Sequence, residues 1–325
     1  MKKTTIVLLT FLAISLVCGF SPVFAGQPKV SVVIPGGLML SPYFYADAHN
    51  LFKDVGFELK NHYVSTGGEV IQLFTAGDAD IAVTSAGPAG VTIGRGVPAK
   101  MVRPIVYGGM EIIALRKEIQ TPADAKGKIV AVSGIGSGTE TVGRILMEKA
   151  GINTHKDCKV QVMKGPEMVA AAKLGHIDIA FTWPPHAQRM LADIPEAHRL
   201  MNTIEKWKEY LQLTVPWNFH HLVVKNKLLE KYPQEIIKMD QALQLAAKRL
   251  MAMPVDEAAQ LLEKYTRQKA ELVEVAIKSQ NVIFNPDPLS KDDVRSSEIF
   301  WEYMYKWGYM KFEMNGEKGY WKLPQ

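Results

Sequence analysis

Apolar and polar residues alternate along the chain in a way that predicts strands and helices in regular succession. Lys29–Pro35 is rich in Val and Ile, and Phe57–Val64 alternates apolar with polar residues, so both predict strands. Between them, Ser41–Lys53 has the pattern of a helix, with Ser41 as its N-cap and Pro42 in its first turn. The helix, strand, helix and two strands that we predict next are Gly68–Ala76, Asp80–Thr84, Pro88–Gly94, Lys100–Tyr107 and Glu111–Arg116. This succession predicts an α/β fold with a mostly parallel sheet.

The same pattern then starts again, which predicts a second unit of the same kind. Its predicted strands and helices, in order, are Lys128–Val132, Thr139–Ala150, Lys159–Met163, Pro166–Leu174, Ile177–Thr182 and Pro185–Ala192. Phe74–Val83 in the first unit matches Ala172–Phe181 in the second, since each is a helix end, a glycine and then a strand. The repeat predicts two lobes built on one plan.

The chain is expected to leave the first lobe and return to it. Phe219–Val224 has the pattern of a strand that rejoins the first lobe, which the chain leaves near Leu115. After it come predicted helices at Pro233–Met251, Val255–Lys264, Gln268–Ser279 and Lys291–Trp307. Two crossovers form a hinge, and a hinge between lobes produces a cleft that can close. We therefore assign residues 26–115 and 220–325 to lobe 1 and residues 116–219 to lobe 2.

The first 25 residues have the features of a secretory signal peptide. Lys2 and Lys3 precede the apolar stretch Ile6–Val17. Val23-Phe24-Ala25 then supplies small or medium residues at the two positions that a signal peptidase recognises. The apolar stretch is shorter than the roughly 20 residues that span a bilayer. We expect cleavage near Ala25 and export to the periplasm. Lipidation at Cys18 is the alternative that the sequence leaves open.

Composition excludes several classes of protein. The chain has 325 residues, of which 47% are hydrophobic and 22% charged, as in an ordinary globular protein and unlike a disordered one. The formal charge of +5 falls to +3 without Lys2 and Lys3, which is too mild to indicate nucleic acid as a partner. After cleavage Cys158 is the one cysteine left, so no intramolecular disulfide can form.

Four turns that follow predicted strands and precede predicted helices are candidates for ligand binding. All four carry Gly, Ser or Thr, and they lie at Gly36–Ser41, Thr66–Gly68, Ser85–Pro88 and Ser137–Thr139. The carboxyl ends of strands line the ligand crevice of α/β sheets, and helix N-termini there offer free N–H groups to an anion. Ordinary helix capping explains the same residues, so both interpretations stay open. Trp183 follows another strand, where it either stacks on a ligand or packs at the hinge.

Sequence motifs for catalysis, cofactors or metals are missing from these turns. Gly134–Thr139 has neither the third glycine of a dinucleotide motif nor the Lys-Ser/Thr ending of a phosphate loop. Ser137 lacks the flanking glycines of a nucleophile elbow. His220 and His221 would face opposite sides of a strand, so the two side chains cannot bind one metal ion together. We expect no catalytic residue, cofactor or metal, and a site for a small anion.

Several segments together resemble a known family. The chain resembles the periplasmic substrate-binding proteins of ABC transporters for nitrate, sulfonates, taurine and thiamine-precursor pyrimidines, from about Val30 to Lys311. The segments that carry the resemblance are Ser41-Pro42-Tyr43-Phe44-Tyr45-Ala46, Gly77-Asp78-Ala79-Asp80-Ile81-Ala82, Gly127-Lys128-Ile129-Val130-Ala131-Val132, Gly175-His176-Ile177-Asp178-Ile179-Ala180 and Tyr305-Lys306-Trp307-Gly308-Tyr309. The resemblance implies a two-lobed, type II-like periplasmic-binding-protein fold with a hinge and an interlobe cleft. It also implies a monomer that captures a small molecule and delivers it to an inner-membrane permease with its ATPase.

The resemblance also implies which residues contact the ligand. Carried over to this sequence, they are Gly37, Leu38, Ser41, Gly67, Gly68, Ser85, Ala86, Ser137, Gly138, Thr139 and Trp183. Family members often have an acidic residue after the tryptophan; here Pro184 stands there, which argues against a ligand whose amine needs a carboxylate at that point.

Two alternatives to an ABC-type receptor remain. Ser65-Thr66-Gly67-Gly68 and Ser137-Gly138-Thr139-Glu140 are also similar to the solute receptors of TRAP transporters. A pyrimidine synthase on the same fold is the enzyme alternative. The signal peptide and the lack of a lysine in the candidate turns speak against that enzyme.

Overall fold

The computed structural model describes residues 27–64, 67–266, 268–279 and 281–322. The signal peptide expected at residues 1–25 and the dipeptide Ser65-Thr66 lie outside the described residues. The described strands are β1 Lys29–Pro35, β2 Glu58–Val64, β3 Ile81–Ser85, β4 Ala99–Gly108, β5 Glu111–Ala114, β6 Ile129–Val132, β7 Lys159–Val162, β8 Ile179–Thr182, β9 His198–Met201, β10 Asn218–Lys225 and β11 Val282–Phe284.

Helices follow most of these strands. The described α-helices are α1 Ser41–Ala48, α2 Gly67–Ala76, α3 Ala86–Gly94, α4 Gly138–Lys149, α5 Thr154–Asp157, α6 Gly165–Lys173, α7 His186–Asp193, α8 Thr203–Leu211, α9 Asn226–Lys231, α10 Pro233–Ala252, α11 Val255–Thr266, α12 Ala270–Lys278, α13 Lys291–Lys306 and α14 Gly316–Gly319. Within the described ranges, none of these helices combines the length and the apolar character needed to cross a membrane.

The first sheet has the strand order β11-β4-β10-β3-β1-β2. β1 runs parallel to β2 and β3, whereas β10 is antiparallel to β3 and β4. Val32, Val33 and Ile34 of β1 are all fully buried, as expected of a strand that is covered on both faces. The prediction that residues near 219–224 form a strand returning to the first sheet is confirmed by β10.

The second sheet has the strand order β7-β6-β8-β5-β9, with β6 parallel to β7 and β8 and with β5 antiparallel to β8 and β9. The strand β5 therefore belongs to the second sheet, although the sequence boundary at residue 115 placed it in lobe 1. Gly108 and Gly109 have φ values of 74° and 80°, and this left-handed pair turns the chain between β4 and β5. The chain crosses over before Glu111 rather than after Leu115; the division into two lobes otherwise remains a prediction.

The two chain segments that join the sheets lie side by side. The Gly108 N–H donates to the Trp217 carbonyl at 3.0 Å, which ties the outgoing segment to the returning one. α13 contacts helices that follow strands of both sheets. Within α13, the Trp301 Nε1–H donates to the Ala86 carbonyl of α3 at 2.8 Å. Directly after α13, the Trp307 Nε1–H donates to Glu148 of α4 at 3.1 Å. The helix therefore holds the start of α3 and the body of α4 in one arrangement.

Candidate functional site

The amino terminus of α4 carries a cluster of hydroxyl groups. Ser137 is the N-cap, and its Oγ accepts the Glu140 N–H at 3.2 Å. The Ser133 hydroxyl lies 2.9 Å from the Ser137 Oγ and 2.8 Å from the Thr139 Oγ1. The predicted residues Ser137 and Thr139 thus share one turn with Ser133, which the sequence did not single out. This turn combines hydroxyl groups with the free N–H groups of a helix terminus.

The amino terminus of α3 faces this turn. Ser85 ends β3 and is the N-cap of α3, but its side chain makes no capping hydrogen bond. A Cβ built on Gly138 would lie 3.3 Å from the Ser85 Oγ, so the first turn of α4 approaches that hydroxyl closely. A side chain at residue 138 would crowd Ser85, which is a physical reason for glycine there. The structure therefore brings Ser85, Ala86, Ser137, Gly138 and Thr139 together between the two sheets.

The turn after β1 is built differently from its prediction. Leu38–Leu40 forms a short 3₁₀ helix in which Leu38 is buried, and Gly37 before it has φ 125°. Ser41 is the first residue of α1, and its hydroxyl donates to the Leu38 carbonyl at 2.6 Å. The N-cap of α1 is Leu40, so the assignment of Ser41 as N-cap is wrong: its side chain turns back onto the 3₁₀ turn rather than forward over the helix.

Gly67 and Gly68 open α2 and line a groove of about 460 Å³. Ile135, Gly136 and Tyr309 line the same groove, so the glycine-rich turn before α4 borders it. A Cβ built on Gly67 would have no heavy atom within 4 Å, which leaves the first turn of α2 open on that side. The start of α2 and the turn before α4 therefore face a common space.

Trp183 lies at the carboxyl end of β8, at the same edge of the second sheet as the turn that follows β6. Its indole is partly exposed and meets the His186 ring edge-on, with centroids 5.1 Å apart. Burial, together with the nearby Arg189, lowers the pKa of His186 to about 4, so His186 is neutral at pH 7 and offers no positive charge to an anion. Contact between Trp183 and a ligand stays a prediction.

A carboxylate that the sequence did not select holds the α4 turn in place. Glu140 is buried and accepts the Gly136 N–H at 3.1 Å through Oε2. Its Oε1 accepts the Tyr309 hydroxyl at 3.0 Å and lies 2.8 Å from the His155 Nε2. Glu140 is the third residue of α4, a position where acidic side chains are common. This position is the feature of the sequence from which its role could have been predicted. The turn is thereby tied to the segment that follows α13.

In the parts of the chain that the structure describes, no three His, Cys, Asp or Glu side chains stand close enough to hold a metal ion.

Comparison with known proteins gives a family and a fold. Residues 39–258 match the model of the family described as NMT1/THI5 like. No curated protein sequence matches the chain. A crystal structure of the periplasmic aliphatic sulphonate-binding protein of Escherichia coli is similar, with 17% identity, a TM-score of 0.75, and coverage of 92% of this chain and 94% of that one.

Two further solved structures are similar over comparable lengths. The alkanesulfonate-binding protein of Xanthomonas axonopodis pv. citri bound to MOPS has 17% identity, a TM-score of 0.72 and coverage of 91% and 99% of the two chains. The periplasmic nitrate-binding protein of Synechocystis PCC 6803 has 14% identity, a TM-score of 0.68 and coverage of 87% and 82%. These similarities confirm the α/β periplasmic-binding-protein fold that the sequence predicted.

Proposed function

Because the chain belongs to the NMT1/THI5-like family, we propose that it is an extracytoplasmic solute receptor that captures a small anion and delivers it to an ABC importer. The observation that carries the proposal is the approach of the α4 turn to Ser85 at the start of α3. Two helix N-termini then point at one space, one from each sheet. Free N–H groups and the positive ends of two helix dipoles favour an anion there.

The proposed ligand is a sulfonate, a carboxylate, nitrate or a pyrimidine-like anion. The similar solved structures include sulfonate-binding and nitrate-binding periplasmic proteins, and sulfonate and nitrate are small oxoanions. Backbone N–H and hydroxyl donors suit such oxygens, and Gly138 lets the backbone come close to them. Pro184 after Trp183 supplies no carboxylate, so the proposed ligand needs no ammonium group at that point.

The proposed site of action is the periplasm, with an ABC permease and its ATPase as partners. The expected signal peptide supports export, and the ligand-binding component of an ABC-type import system from Staphylococcus aureus has the same fold, with a TM-score of 0.70. In this role the chain binds and releases a solute and carries out no reaction.

A thermal-shift screen of the mature protein tests the proposal. The panel is ethanesulfonate, acetate, nitrate and orotate, a pyrimidine carboxylate that is anionic at pH 7, with choline and glucose as cationic and neutral controls, in a Tris buffer that contains no sulfonate. At a ligand concentration a hundredfold above the dissociation constant, linkage adds about 2.7 kcal/mol to stability. We expect a panel anion to raise the melting temperature. A rise with choline or glucose alone would contradict the proposal of an anion receptor.

Ser137→Ala tests whether the α4 turn belongs to the site. We expect the variant to lose about 1 kcal/mol of stability as a lost N-cap, to stay folded, and to bind the anion more weakly. Ser290→Ala is the matched control, because Ser290 caps α13 in the same way, with its Oγ accepting the Asp293 N–H at 3.1 Å. Equal affinity of the two variants in calorimetry would remove the α4 turn from the site.

A further inference from the structure

His220 stands on the cleft side of the first sheet, beside the two helix N-termini. In the antiparallel pairing of β10 with β3, His220 lies opposite Ser85. Residues directly opposite in an antiparallel pair project from the same face of the sheet. Ser85 is also the residue whose hydroxyl approaches Gly138 of α4. The register therefore puts the His220 side chain next to the polar groups of the candidate site.

The neighbouring residue, His221, has a structural role in the same strand. His221 lies opposite Thr84 and projects from the other face, where it is fully buried and its Nε2 lies 2.9 Å from the Tyr320 hydroxyl. The Tyr320 hydroxyl in turn lies 2.7 Å from the Ser297 Oγ, so His221 belongs to a polar network inside the core.

His220 takes part in no such network. Its Nδ1, like that of His221, is buried without a hydrogen-bond partner among the described residues. The difference lies at the other ring nitrogen: the His221 Nε2 contacts Tyr320, whereas the His220 ring makes no hydrogen bond to a described residue. The ring packs edge-on against Phe219, with centroids 4.3 Å apart, and part of its surface remains exposed. A ligand cannot reach the enclosed Nδ1, so the exposed part of the ring is the side on which a hydrogen bond to a ligand can form.

We propose that His220 binds the captured anion directly, through a hydrogen bond from its imidazole to an oxygen of a sulfonate, carboxylate or nitrate group. The inference rests on the proposed function, because it names a further binding residue of the same site. Burial lowers the pKa of His220 to about 3, so the ring is neutral at pH 7 and carries one N–H donor. His220 thus adds a side-chain donor from the first sheet to the N–H and hydroxyl donors of the α3 and α4 termini.

Calorimetric titration of three variants with ethanesulfonate and nitrate tests the proposal. His220→Leu removes both ring nitrogens, and we expect its affinity to fall by about tenfold or more, as for a lost hydrogen bond to a charged group. His220→Gln keeps a donor and should recover part of that loss. His176→Gln is the control, because His176 is exposed on the turn after α6, and its affinity should match the wild type.

Imidazole NMR on the wild-type protein supplies a readout that does not depend on how the variants fold. The His220 resonance is identified by its absence from the His220→Gln spectrum, and we expect it to shift when ethanesulfonate or nitrate saturates the protein. If the wild type binds an anion while the His220 variants bind equally well and the resonance stays unmoved, the inference fails and the receptor function stands. If the wild type binds no anion of the panel, both fall together.

Discussion

The two sheets of the molecule have the same hydrogen-bonded arrangement at one end of their strands, which we call the shared frame. In the first, Asp80 donates its N–H to the Ser31 carbonyl at 2.9 Å and accepts the Ser31 N–H at 3.1 Å through Oδ2. In the second, Asp178 makes the same pair of contacts with Ile129, at 3.0 and 2.9 Å. These aspartates occupy matching places in the segments that the sequence repeats. The repeat therefore encodes a specific clamp between adjacent strands.

The match extends to the strand that follows each crossover. The Asp80 carbonyl accepts the Lys225 N–H at 3.1 Å, and the Asp178 carbonyl accepts the Leu115 N–H at 2.9 Å. A cation then pairs with each carboxylate: Lys227 with Asp80 at 2.8 Å, and Arg116 with Asp178 at 3.3 Å. Strand order agrees as well, because β10 and β5 occupy matching positions and each is antiparallel to both of its neighbours.

The sheets differ at the opposite ends of their strands, where the proposed site lies. In the second sheet, Ser133, Ser137 and Thr139 bond to one another and to the first turn of α4. In the first sheet, the Ser85 side chain makes no cap and His220 keeps an unpaired nitrogen. The α4 turn thus presents hydroxyl groups that are bonded to one another, which the α3 turn lacks. Buried polar atoms without a partner among the described residues occur in both halves, at the His220 Nδ1 and at the Thr182 Oγ1. The comparison teaches that the shared frame supports the fold, while the two halves differ at the turns that we propose to bind the ligand.

Replacing the two clamp aspartates is the most severe test of the shared frame. We expect Asp80→Ala and Asp178→Ala each to lower the free energy of unfolding by about 2 kcal/mol. Each replacement leaves a backbone N–H without a partner and removes a hydrogen bond to a charged group. The two losses should be similar, since both side chains are 21% exposed. Urea unfolding of the mature protein measures them.

Asp78→Ala is the matched control for this pair. Asp78 lies two residues before Asp80 and is exposed, so its replacement should change stability by less than about 0.5 kcal/mol. A large loss from one clamp variant and none from the other would show that the two halves are not held in the same way.

Acid should destabilise the protein partly through the first sheet. Burial, the neighbouring His220 and Arg103 lower the pKa of His221 to about 3, against about 6.5 in the unfolded chain. Between these values the unfolded state binds the proton and the folded state does not, so stability falls as the pH falls. At pH 5 the loss from His221 alone is about 2 kcal/mol relative to pH 7.

The measurement is the unfolding free energy of the wild type and of His221→Gln at pH 7 and at pH 5. The variant will be less stable at pH 7, but we expect its loss between the two pH values to be smaller than that of the wild type by the contribution of one proton. His176→Gln should keep the wild-type loss, because that histidine is exposed. Identical pH dependence in all three proteins would mean that His221 does not titrate as a buried group.

Most of the frame was predictable from sequence, because apolar periodicity and Gly stops are local signals. The predicted helix at Pro233–Met251 differs from α10 by a single residue at its end. β5 was placed in the wrong sheet because pairing is a long-range property: Glu111–Ala114 reads as a strand in either lobe. β9 and α8 were not predicted, since His198–Met201 is only four residues long and shows no apolar alternation.

The candidate site was predictable only in outline. Turns with Gly, Ser and Thr after strands point to Ser85 and Ser137, but sequence does not show that Gly138 approaches Ser85. Nor does the sequence show that the Ser41 hydroxyl donates to the Leu38 carbonyl in the turn before α1. Tyr309 was noted only as part of a helix end, because its contact with Glu140 spans 169 residues of chain.

The tie between Tyr309 and α4 gives the prediction with the smallest expected effect. The Tyr309 hydroxyl donates to Glu140 at 3.0 Å and accepts from Arg144 Nη1 at 2.7 Å. Burial and the nearby Glu140 raise the pKa of Tyr309 to about 12, so the phenol keeps its proton at pH 7. Tyr309→Phe should cost about 1 kcal/mol of stability, the usual value of such hydrogen bonds.

Ligand affinity should fall as well in Tyr309→Phe, by a few-fold, because Glu140 also accepts the N–H of Gly136 in the turn that precedes Ser137. If the Glu140 carboxylate is held less firmly, the turn before α4 and the hydrogen-bond donors in it become less ordered. Tyr305→Phe is the control, since Tyr305 is 45% exposed and its replacement should leave both stability and affinity at wild-type values. Unfolding and calorimetric titration with ethanesulfonate or nitrate separate the two effects. Reduced stability with unchanged affinity would show that the ordered turn of the second sheet needs no support from the segment after α13.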